Sequence, residues 1–419
     1  MELVILLLLI WLILEAFLHI WLGLLRRRFT NVIITGKDEA PILSRTGLEK
    51  FFKHGYDPEL GWVRKPNTSK VEKSLEGDKT FHVNDIGSRT NPGHEDLPMK
   101  VVSYGDSYTF GREINDNETF QHFLAKKLKC NIGNFGVGNY GLDQAFLRFK
   151  RECDKWKKAK TLLIGVVPDT VQRNLAMWKH FSEYGNTFGF KPRFIIEDNK
   201  LKLLENPGNK KENFYDVKPL LKTLKANDHF YKAKFRRDVF KFPYFWSILR
   251  YPKRKITLFT IYSGVYALEL LHIDWRKSKI LPSQKATRAV QYNVKDLIKY
   301  YKDPKLLNVT IEIAKEFAEL AKKHNMKPLL LLLPMHNDLE YMKETEDIYY
   351  KPLLEKLSPI MPCVDMGEHF LKHDINDFFY TEGEPGAYTK QGDHYNAKGN
   401  KLVADVTHKF MKKHGFELE

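Results

Sequence analysis

A serine and a histidine that lie far apart in the chain have the residue types of a nucleophile and its general base. Ser107 lies in a Gly-Asp-Ser turn between the apolar run Val101-Val102 and a helix-compatible stretch at residues 118–128. At the carboxyl end of a strand, such a serine projects into the crevice above a sheet, where backbone N–H groups can stabilise an oxyanion. His394 lies near the C-terminus and is expected to meet Ser107 at the same sheet edge. The pair predicts nucleophilic catalysis by a serine.

Four sequence blocks follow one another in a fixed order. They are Gly105-Asp106-Ser107, the glycine-rich residues 134–141, the apolar run 162–165, and His394 with Asn396 and Gly399. This ordered set resembles the SGNH (GDSL-type) hydrolase and esterase family, and residues 61–89 resemble its membrane-anchored members. The resemblance implies a serine hydrolase that acts on ester bonds. Water as the acyl acceptor would make it an esterase, and a sugar hydroxyl would make it an O-acyltransferase.

The resemblance also implies an oxyanion hole, and here the chain departs from the family's pattern. The expected donors are the backbone N–H of Ser107 and that of Gly138 or Asn139. Pro168 stands where the family usually has the asparagine of the hole. Asn174 follows a few residues later, so we count it among the candidates for substrate binding.

Asp106 and Asp393 are the acidic residues next to the predicted nucleophile and base. Asp106 is a candidate near the oxyanion, where it would also support the turn by bonding to the backbone. The family's acid stands two or three residues before the histidine, but Gln391 and Gly392 occupy those positions. Asp393 is therefore the candidate acid, and a displaced acid or a dyad oriented by a carbonyl group are the alternatives. These departures also favour a second function, a catalytically inactive binding or scaffold module.

Residues 3–25 are almost wholly apolar and are followed by Arg26-Arg27-Arg28. About 20 residues, each rising about 1.5 Å, span the hydrocarbon core of a bilayer. Met1 is followed by Glu2 rather than by a basic region, which disfavours a secretory signal peptide. The positive-inside rule places the arginines in the cytoplasm, although anchored members of the family often act on cell-envelope polysaccharides. We predict a single-pass membrane protein whose soluble domain faces the cytoplasm.

The formal net charge of +16 is concentrated in one part of the chain. Residues 201–260 contain 15 lysines and arginines, 5 acidic residues and many interleaved aromatic residues. Such a surface suits anionic lipid headgroups beside an anchor or an acidic glycan, and a solvated insertion with its own aromatic core is the alternative. No nucleic-acid-binding motif accompanies the charge, so we expect no nucleic-acid partner. The expected partners are an ester substrate, such as an acylated glycan or lipid, and the membrane.

The histidines and cysteines show no metal-ligand spacing, and no phosphate-binding loop is present. We therefore expect no metal and no cofactor. The predicted organisation is a transmembrane anchor at residues 1–28, a lead-in segment at 29–98, an SGNH-like domain at 99–174 and 296–419, and a basic, aromatic-rich insertion at 175–295. Strands such as the apolar run 329–333 alternate with helices, and the last helix, at residues 397–414, is amphipathic. The predicted fold class is α/β, a flavodoxin-like three-layer sandwich with a mainly parallel sheet, preceded by one transmembrane helix.

Overall fold

The structure is a computed structural model that describes residues 1–74, 77–273, 294–380 and 394–416. The chain divides into two compact units. In the first unit the described residues are 1–53, 176–191 and 206–273. In the second they are 54–74, 77–175, 192–205, 294–380 and 394–416. The segment boundaries derived from the sequence stay a prediction.

The strands of the described residues all belong to the second unit. In chain order they are β1 Tyr56–Asp57, β2 Gly61–Trp62, β3 Thr68–Ser74, β4 Gly77–Val83, β5 Met99–Gly105, β6 Asn131–Asn134, β7 Thr161–Val166, β8 Arg193–Glu197, β9 Lys200–Leu204, β10 Lys327–Leu332 and β11 Cys363–Asp365. Strands β5, β6, β7, β10 and β11 form a parallel sheet in the order β11-β10-β7-β5-β6. Three antiparallel pairs accompany it: β1 with β2, β3 with β4, and β8 with β9.

The described helices lie in both units. In chain order they are α1 Glu2–Arg28, α2 Arg45–His54, α3 Ser107–Phe110, α4 Phe120–Leu128, α5 Leu142–Glu152, α6 Thr170–Arg173, α7 Lys179–Ser182, α8 Leu221–Asn227, α9 Arg236–Asp238, α10 Tyr244–Arg250, α11 Pro252–Leu270, α12 Val294–Lys302, α13 Pro304–Lys323, α14 His336–Thr345, α15 Lys351–Leu357, α16 Gly367–Phe370 and α17 Ala397–Lys413. Short 3-10 helices lie at Gly36–Glu39, Asp116–Glu118, Cys153–Lys155, Lys211–Phe214, Lys218–Leu220 and Ile375–Phe378, and a π-helical turn lies at Tyr231–Phe235.

The order of the parallel strands explains the three layers. From β5 the chain crosses through α4 to β6 on one side and then returns through α5 to β7 on the other. Because parallel crossovers are right-handed, α4 and α5 cover opposite faces of the sheet. Helix α4 packs against α17, and α5 packs against α13. The central strands β7 and β10 are almost entirely buried, as expected of parallel strands covered on both faces. The predicted α/β class with a parallel sheet is confirmed.

The first unit is helical in its described part and is built around the second half of α1. Leu18, Leu22 and Leu25 are buried against Phe240 and Leu258. Residues 2–10 of α1, by contrast, are exposed to solvent. With a mean hydropathy of 2.8 over its most apolar window, α1 is long and apolar enough to cross a membrane.

Candidate active site

Ser107 lies at the point of the sheet where ligands gather in α/β folds. It is the first residue of α3, directly after β5, whose neighbours β6 and β7 are reached by crossovers that leave in opposite directions. A crevice forms outside the carboxyl ends of the strands at such a switch point. The predicted strand–turn–helix context of Ser107 is therefore present. Gly105 is required there, because a Cβ would lie 2.1 Å from the Gly165 carbonyl oxygen of β7.

Asp106 builds the turn that presents Ser107. Its carboxylate accepts hydrogen bonds from the backbone N–H groups of Tyr108 at 2.9 Å, Thr109 at 3.4 Å and Val167 at 3.2 Å. It also faces the guanidinium of Arg173 at 3.4 Å. Burial raises the pKa of Asp106 above its ordinary value, against the lowering effect of Arg173 and the backbone donors. With its oxygens engaged in this way, Asp106 caps α3 and holds β7 beside the turn.

Ser107 and His394, 287 residues apart in the chain, are in hydrogen-bond contact. The Oγ of Ser107 lies 3.0 Å from the Nε2 of His394. Ser107 is 6% exposed, and the side chain of His394 is 12% exposed. The contact is therefore largely shielded from water, although both side chains remain partly exposed to solvent. This is the geometry in which an imidazole can remove a proton from a serine hydroxyl.

The residues after His394 fix its position at the sheet edge. The hydroxyl of Tyr395 donates to the carbonyl of Pro334, just beyond β10, at 2.7 Å. Asn396 caps α17 by accepting from the backbone N–H of Gly399 at 3.0 Å. The imidazole itself lies against the ring of Tyr108, with centroids 4.8 Å apart. Tyr108, Tyr395 and Asn396 thus hold His394 against Ser107.

Glu113 faces the other nitrogen of the imidazole and was not predicted from the sequence. Its Oε1 lies 3.6 Å from the Nδ1 of His394, and the glutamate side chain is 1% exposed. That Nδ1 has no hydrogen-bond partner among the described residues. A buried carboxylate on this side of the ring would favour the tautomer that leaves Nε2 free to accept a proton. Glu113 lies on the loop after α3, far from His394 in the sequence.

The loop that carries Glu113 is held in an uncommon conformation. Glu113 has a φ of 65°, which non-glycine residues adopt rarely. Its backbone N–H donates to Glu72 at 3.3 Å. Arg89, fully buried, donates to the carbonyl groups of Phe110 and Ile114 on either side and forms an ion pair with Asp116 at 2.7 Å. Strain that the surroundings maintain in this way is typical of functional sites.

The glycine-rich loop after β6 lies against the nucleophile turn. The backbone N–H of Val137 donates to the carbonyl of Gly105 at 3.0 Å, and a Cβ on Gly136 would lie 2.4 Å from the backbone nitrogen of Phe110. Gly138 and Asn139 follow directly, and Asn139 has a φ of 63°. The backbone N–H groups of Ser107, Gly138 and Asn139 donate to no acceptor in the described part of the chain. They are available to an oxyanion.

Asn174 and Asp393 are the remaining predicted site residues. Asn174 is fully buried and bonds elsewhere: its amide donates to the hydroxyl of Thr310 at 2.9 Å, and its oxygen accepts from the backbone N–H of Asp143 at 3.2 Å. Its amide joins α5 to α13, and its place near the substrate stays a prediction. Asp393 lies outside the described residues, and the structure gives it no position.

Among the described residues, one group has metal-ligand atoms close together. These atoms, on Cys153, Asp154 and His324, lie within 4.8 Å of one another. The residues precede β7 and β10, at the amino end of the sheet, whereas Ser107 lies at the carboxyl end. The group therefore takes no part in the site described above.

Comparison with known proteins gives no family model and no curated protein that matches the chain. It is similar to solved structures at low identity. An acetyl xylan esterase is 11% identical over 74% of this chain and 99% of its own, with a TM-score of 0.35. A member of the lipolytic protein G-D-S-L family from Veillonella parvula is 10% identical over 75% and 99%, with a TM-score of 0.33. A catalytic mutant of an acetylxylan esterase from Geobacillus stearothermophilus is 10% identical over 78% and 98%, with a TM-score of 0.31.

Proposed function

We propose that this chain is a membrane-anchored serine esterase of the SGNH type, with Ser107 as nucleophile and His394 as base. The observation that carries the proposal is the 3.0 Å contact between Ser107 Oγ and His394 Nε2 at the switch point of the sheet. Both residues lie in short sequence blocks that predict these roles. The fold brings these two residues, 287 positions apart in the sequence, into contact. An accidental contact of a surface serine and histidine would not be expected at this edge.

The proposed reaction proceeds in two steps. Ser107 Oγ attacks the ester carbonyl carbon while His394 Nε2 takes the hydroxyl proton, and the same nitrogen then protonates the departing alcohol. Water, deprotonated by His394, attacks the acyl-serine and releases the acid. The backbone N–H groups of Ser107 and of Gly138 or Asn139 stabilise the oxyanion, and each such donor contributes about 3 kcal/mol. A sugar hydroxyl in place of water would make the reaction an acyl transfer.

Glu113 is the proposed acid of the triad. At 3.6 Å from Nδ1, it acts through the imidazole by holding the ring and stabilising the imidazolium that forms during attack. A contraction of about half an ångström would turn the contact into a hydrogen bond. Catalytic hydrogen bonds are often long without substrate and tighten in the complex. Asp393, expected from its place beside the histidine, is the competing candidate.

Helix α1 is proposed to anchor the chain in a membrane, with the unit that contains Ser107 on the side of Arg26–Arg28. The helix is 27 residues long, and its three arginines lie at one end. By the positive-inside rule, that side is the cytoplasm. The proposed substrate is an ester within reach of the membrane surface, in the class of acylated glycans or lipids.

Hydrolysis of p-nitrophenyl acetate and butyrate tests the proposed activity. The full chain in detergent is compared with Ser107→Ala and His394→Ala, and Ser358→Ala provides a matched control at an exposed serine. We expect turnover by the parent and the control, and loss of turnover in the two site variants. A parent that binds these esters without hydrolysing them, and that is not labelled by a fluorophosphonate, would contradict the proposal and favour a binding module.

A further inference from the structure

The first unit contains more apolar surface than one anchoring helix explains. Helix α1 is largely exposed only over residues 2–13, where Trp11 is half-buried and the other large apolar side chains from Leu3 to Ile13 are 51–69% exposed. From Glu15 onward, one side of the helix is buried against the rest of the unit. Residues 2–13 extend about 18 Å along the helix, whereas the hydrocarbon core of a bilayer is about 30 Å thick. The freely exposed part of α1 is too short to cross it.

We propose that α10 and α11 enter the same bilayer beside α1, so that the membrane contacts the face formed by Phe242, Trp246, Leu249 and Ile256. This inference rests on the proposed anchoring by α1. The missing depth of about 12 Å then comes from residues of α1 that pack against α10 and α11. Thinning the bilayer by that amount would be the alternative, and mismatch costs free energy with every ångström.

Contacts along α1 show how deep the two helices would lie. The backbone N–H groups of Tyr244 and Phe245, at the start of α10, both donate to the Glu15 carboxylate at 2.7 Å. Farther along, the Nε1 of Trp21 donates to Ser263 of α11 at 2.7 Å. If the core extends over about 20 residues of α1, Glu15 lies well inside it, and the start of α10 lies there too.

Two buried ionisable groups of this packing, Glu15 and Lys255, are paired in a way that a membrane requires. Glu15 is 4% exposed, and both of its oxygens accept from the start of α10. Lys255 is buried, and its Nζ donates to the hydroxyl of Ser247 at 2.6 Å and to the carbonyl of the same residue. Ionisable side chains at membrane depth are costly unless paired with one another or with the backbone. These pairings lower the cost of placing α10 and α11 in the bilayer.

The outward face has the composition of a membrane interface. Phe242 is 69% exposed, Trp246 62%, Leu249 47% and Ile256 49%. Trp246 and Leu249 are three residues apart and share one face of α10. The exposed cations Arg250 and Lys253 come next. Tryptophan beside apolar and basic residues is typical of helices at the headgroup boundary, where anionic lipids attract the cations.

Fluorescence of a polarity-sensitive label, such as NBD, tests the depth of Trp246 in vesicles of equimolar phosphatidylcholine and phosphatidylglycerol. The full chain receives one added cysteine, as Trp246→Cys, as Leu8→Cys in α1, or as Tyr215→Cys at a 61% exposed aromatic position outside the proposed face. The unsubstituted chain measures labelling of the native cysteines, two of which are buried. Circular dichroism verifies that each labelled variant is folded.

We expect blue-shifted emission and quenching by nitroxide-bearing lipids at positions 8 and 246, and neither at position 215. A label at position 246 that behaves like position 215, while position 8 is quenched, would overturn the inference and leave the anchor intact. A lack of quenching at position 8 would show that α1 is not inserted, and the inference would fail together with the anchoring. The hydrolysis of nitrophenyl esters is independent of both results.

Discussion

Asp106 and Glu113 lie on either side of the same short helix, α3, and both are buried, yet their surroundings differ. Asp106 accepts from three backbone N–H groups and faces Arg173. Glu113 is 1% exposed and has an oxygen 3.6 Å from the imidazole of His394. The first carboxylate is engaged by the turn that it builds, and the second faces a group whose charge changes during the proposed reaction. Burial alone does not distinguish a structural acid from one that serves catalysis; its partners do.

Replacement of Ser107, the proposed nucleophile, is expected to cause the largest loss of kcat. We expect Ser107→Ala to lower kcat for p-nitrophenyl acetate by about 10⁴-fold with the thermal midpoint little changed, because it removes one hydroxyl from a folded turn. Steady-state kinetics together with a thermal melt measures both. A variant that keeps most of its turnover would show that another residue attacks the ester, and the comparison of the two acids would lose its basis.

Asp106→Asn tests the structural acid. The amide retains one acceptor oxygen but loses the negative charge that faces Arg173. Its NH₂ group, a donor, would lie beside backbone N–H groups that are also donors. We expect the free energy of unfolding to fall by about 3 kcal/mol, the usual cost of breaking a buried ion pair. Urea denaturation measures the change. If stability were unaffected and only kcat fell, Asp106 would belong with Glu113 as an acid that serves catalysis.

Glu113→Gln tests the second acid, with Asp393→Asn as its matched comparison. We expect kcat to fall by roughly 10²-fold with KM little changed. This loss is smaller than that expected for a triad acid hydrogen-bonded to its histidine, because Glu113 Oε1 lies 3.6 Å from His394 Nδ1. Glu113→Asp should recover part of the loss. A loss of kcat in Asp393→Asn, with Glu113→Gln unaffected, would assign the acid to the position beside the histidine.

Asp338, at the start of α14 and at the same sheet edge, extends the comparison to a third buried carboxyl group. Burial raises its pKa from 3.8 to about 7, although the hydroxyl of Tyr349 and the backbone of Met335 donate to it. The folded state therefore holds this proton more tightly than the unfolded state does. The stabilisation that results is fully present below pH 4 and is lost as the pH rises through 7.

Asp338→Asn should remove this dependence. Between pH 4 and 7, the free energy of unfolding of the parent should fall relative to that of the variant, by at most about 1.4 kcal/mol per pH unit. Urea melts over this range measure the difference. If the free energies of unfolding of parent and variant differed by the same amount from pH 4 to 7, Asp338 would be ionised over that whole range, as an exposed carboxylate is.

Asn139→Gly has the smallest expected effect. Glycine retains the backbone N–H proposed for the oxyanion and adopts a positive φ more readily than asparagine. We expect kcat to change by less than about 2-fold, the scale of a surface substitution. A large loss of kcat would indicate that the side chain of Asn139 contacts the substrate.

The sequence predicted the parallel sheet and the helices around it because their signals are local. The apolar run that became β10 and the helical spacing of α17 each depend on neighbouring residues only. The hairpin of β8 and β9 was not predicted. Its signal was present, since the apolar run Phe194–Ile196 and the alternating residues 200–203 flank Asp198-Asn199, which adopt the positive φ values of a two-residue turn.

The contact between Ser107 and His394 was predictable because each residue lies in a short block with its own turn chemistry. Glu113 was not, because its role depends on a contact with a residue 281 positions away that no local pattern encodes. Asn174 shows how little proximity in sequence determines about a side chain's partners. Proximity in sequence to the expected asparagine suggested a place near the substrate, but its amide joins two helices through Thr310 and Asp143.

The most direct test of the central claim is covalent modification of the full chain by a fluorophosphonate, with the adduct located by mass spectrometry. The proposed site predicts one adduct, on Ser107, that forms much more slowly in His394→Ala because the hydroxyl has lost its base. A folded parent that forms no adduct, or an adduct on another serine that His394→Ala does not affect, would contradict the assignment of Ser107 and His394.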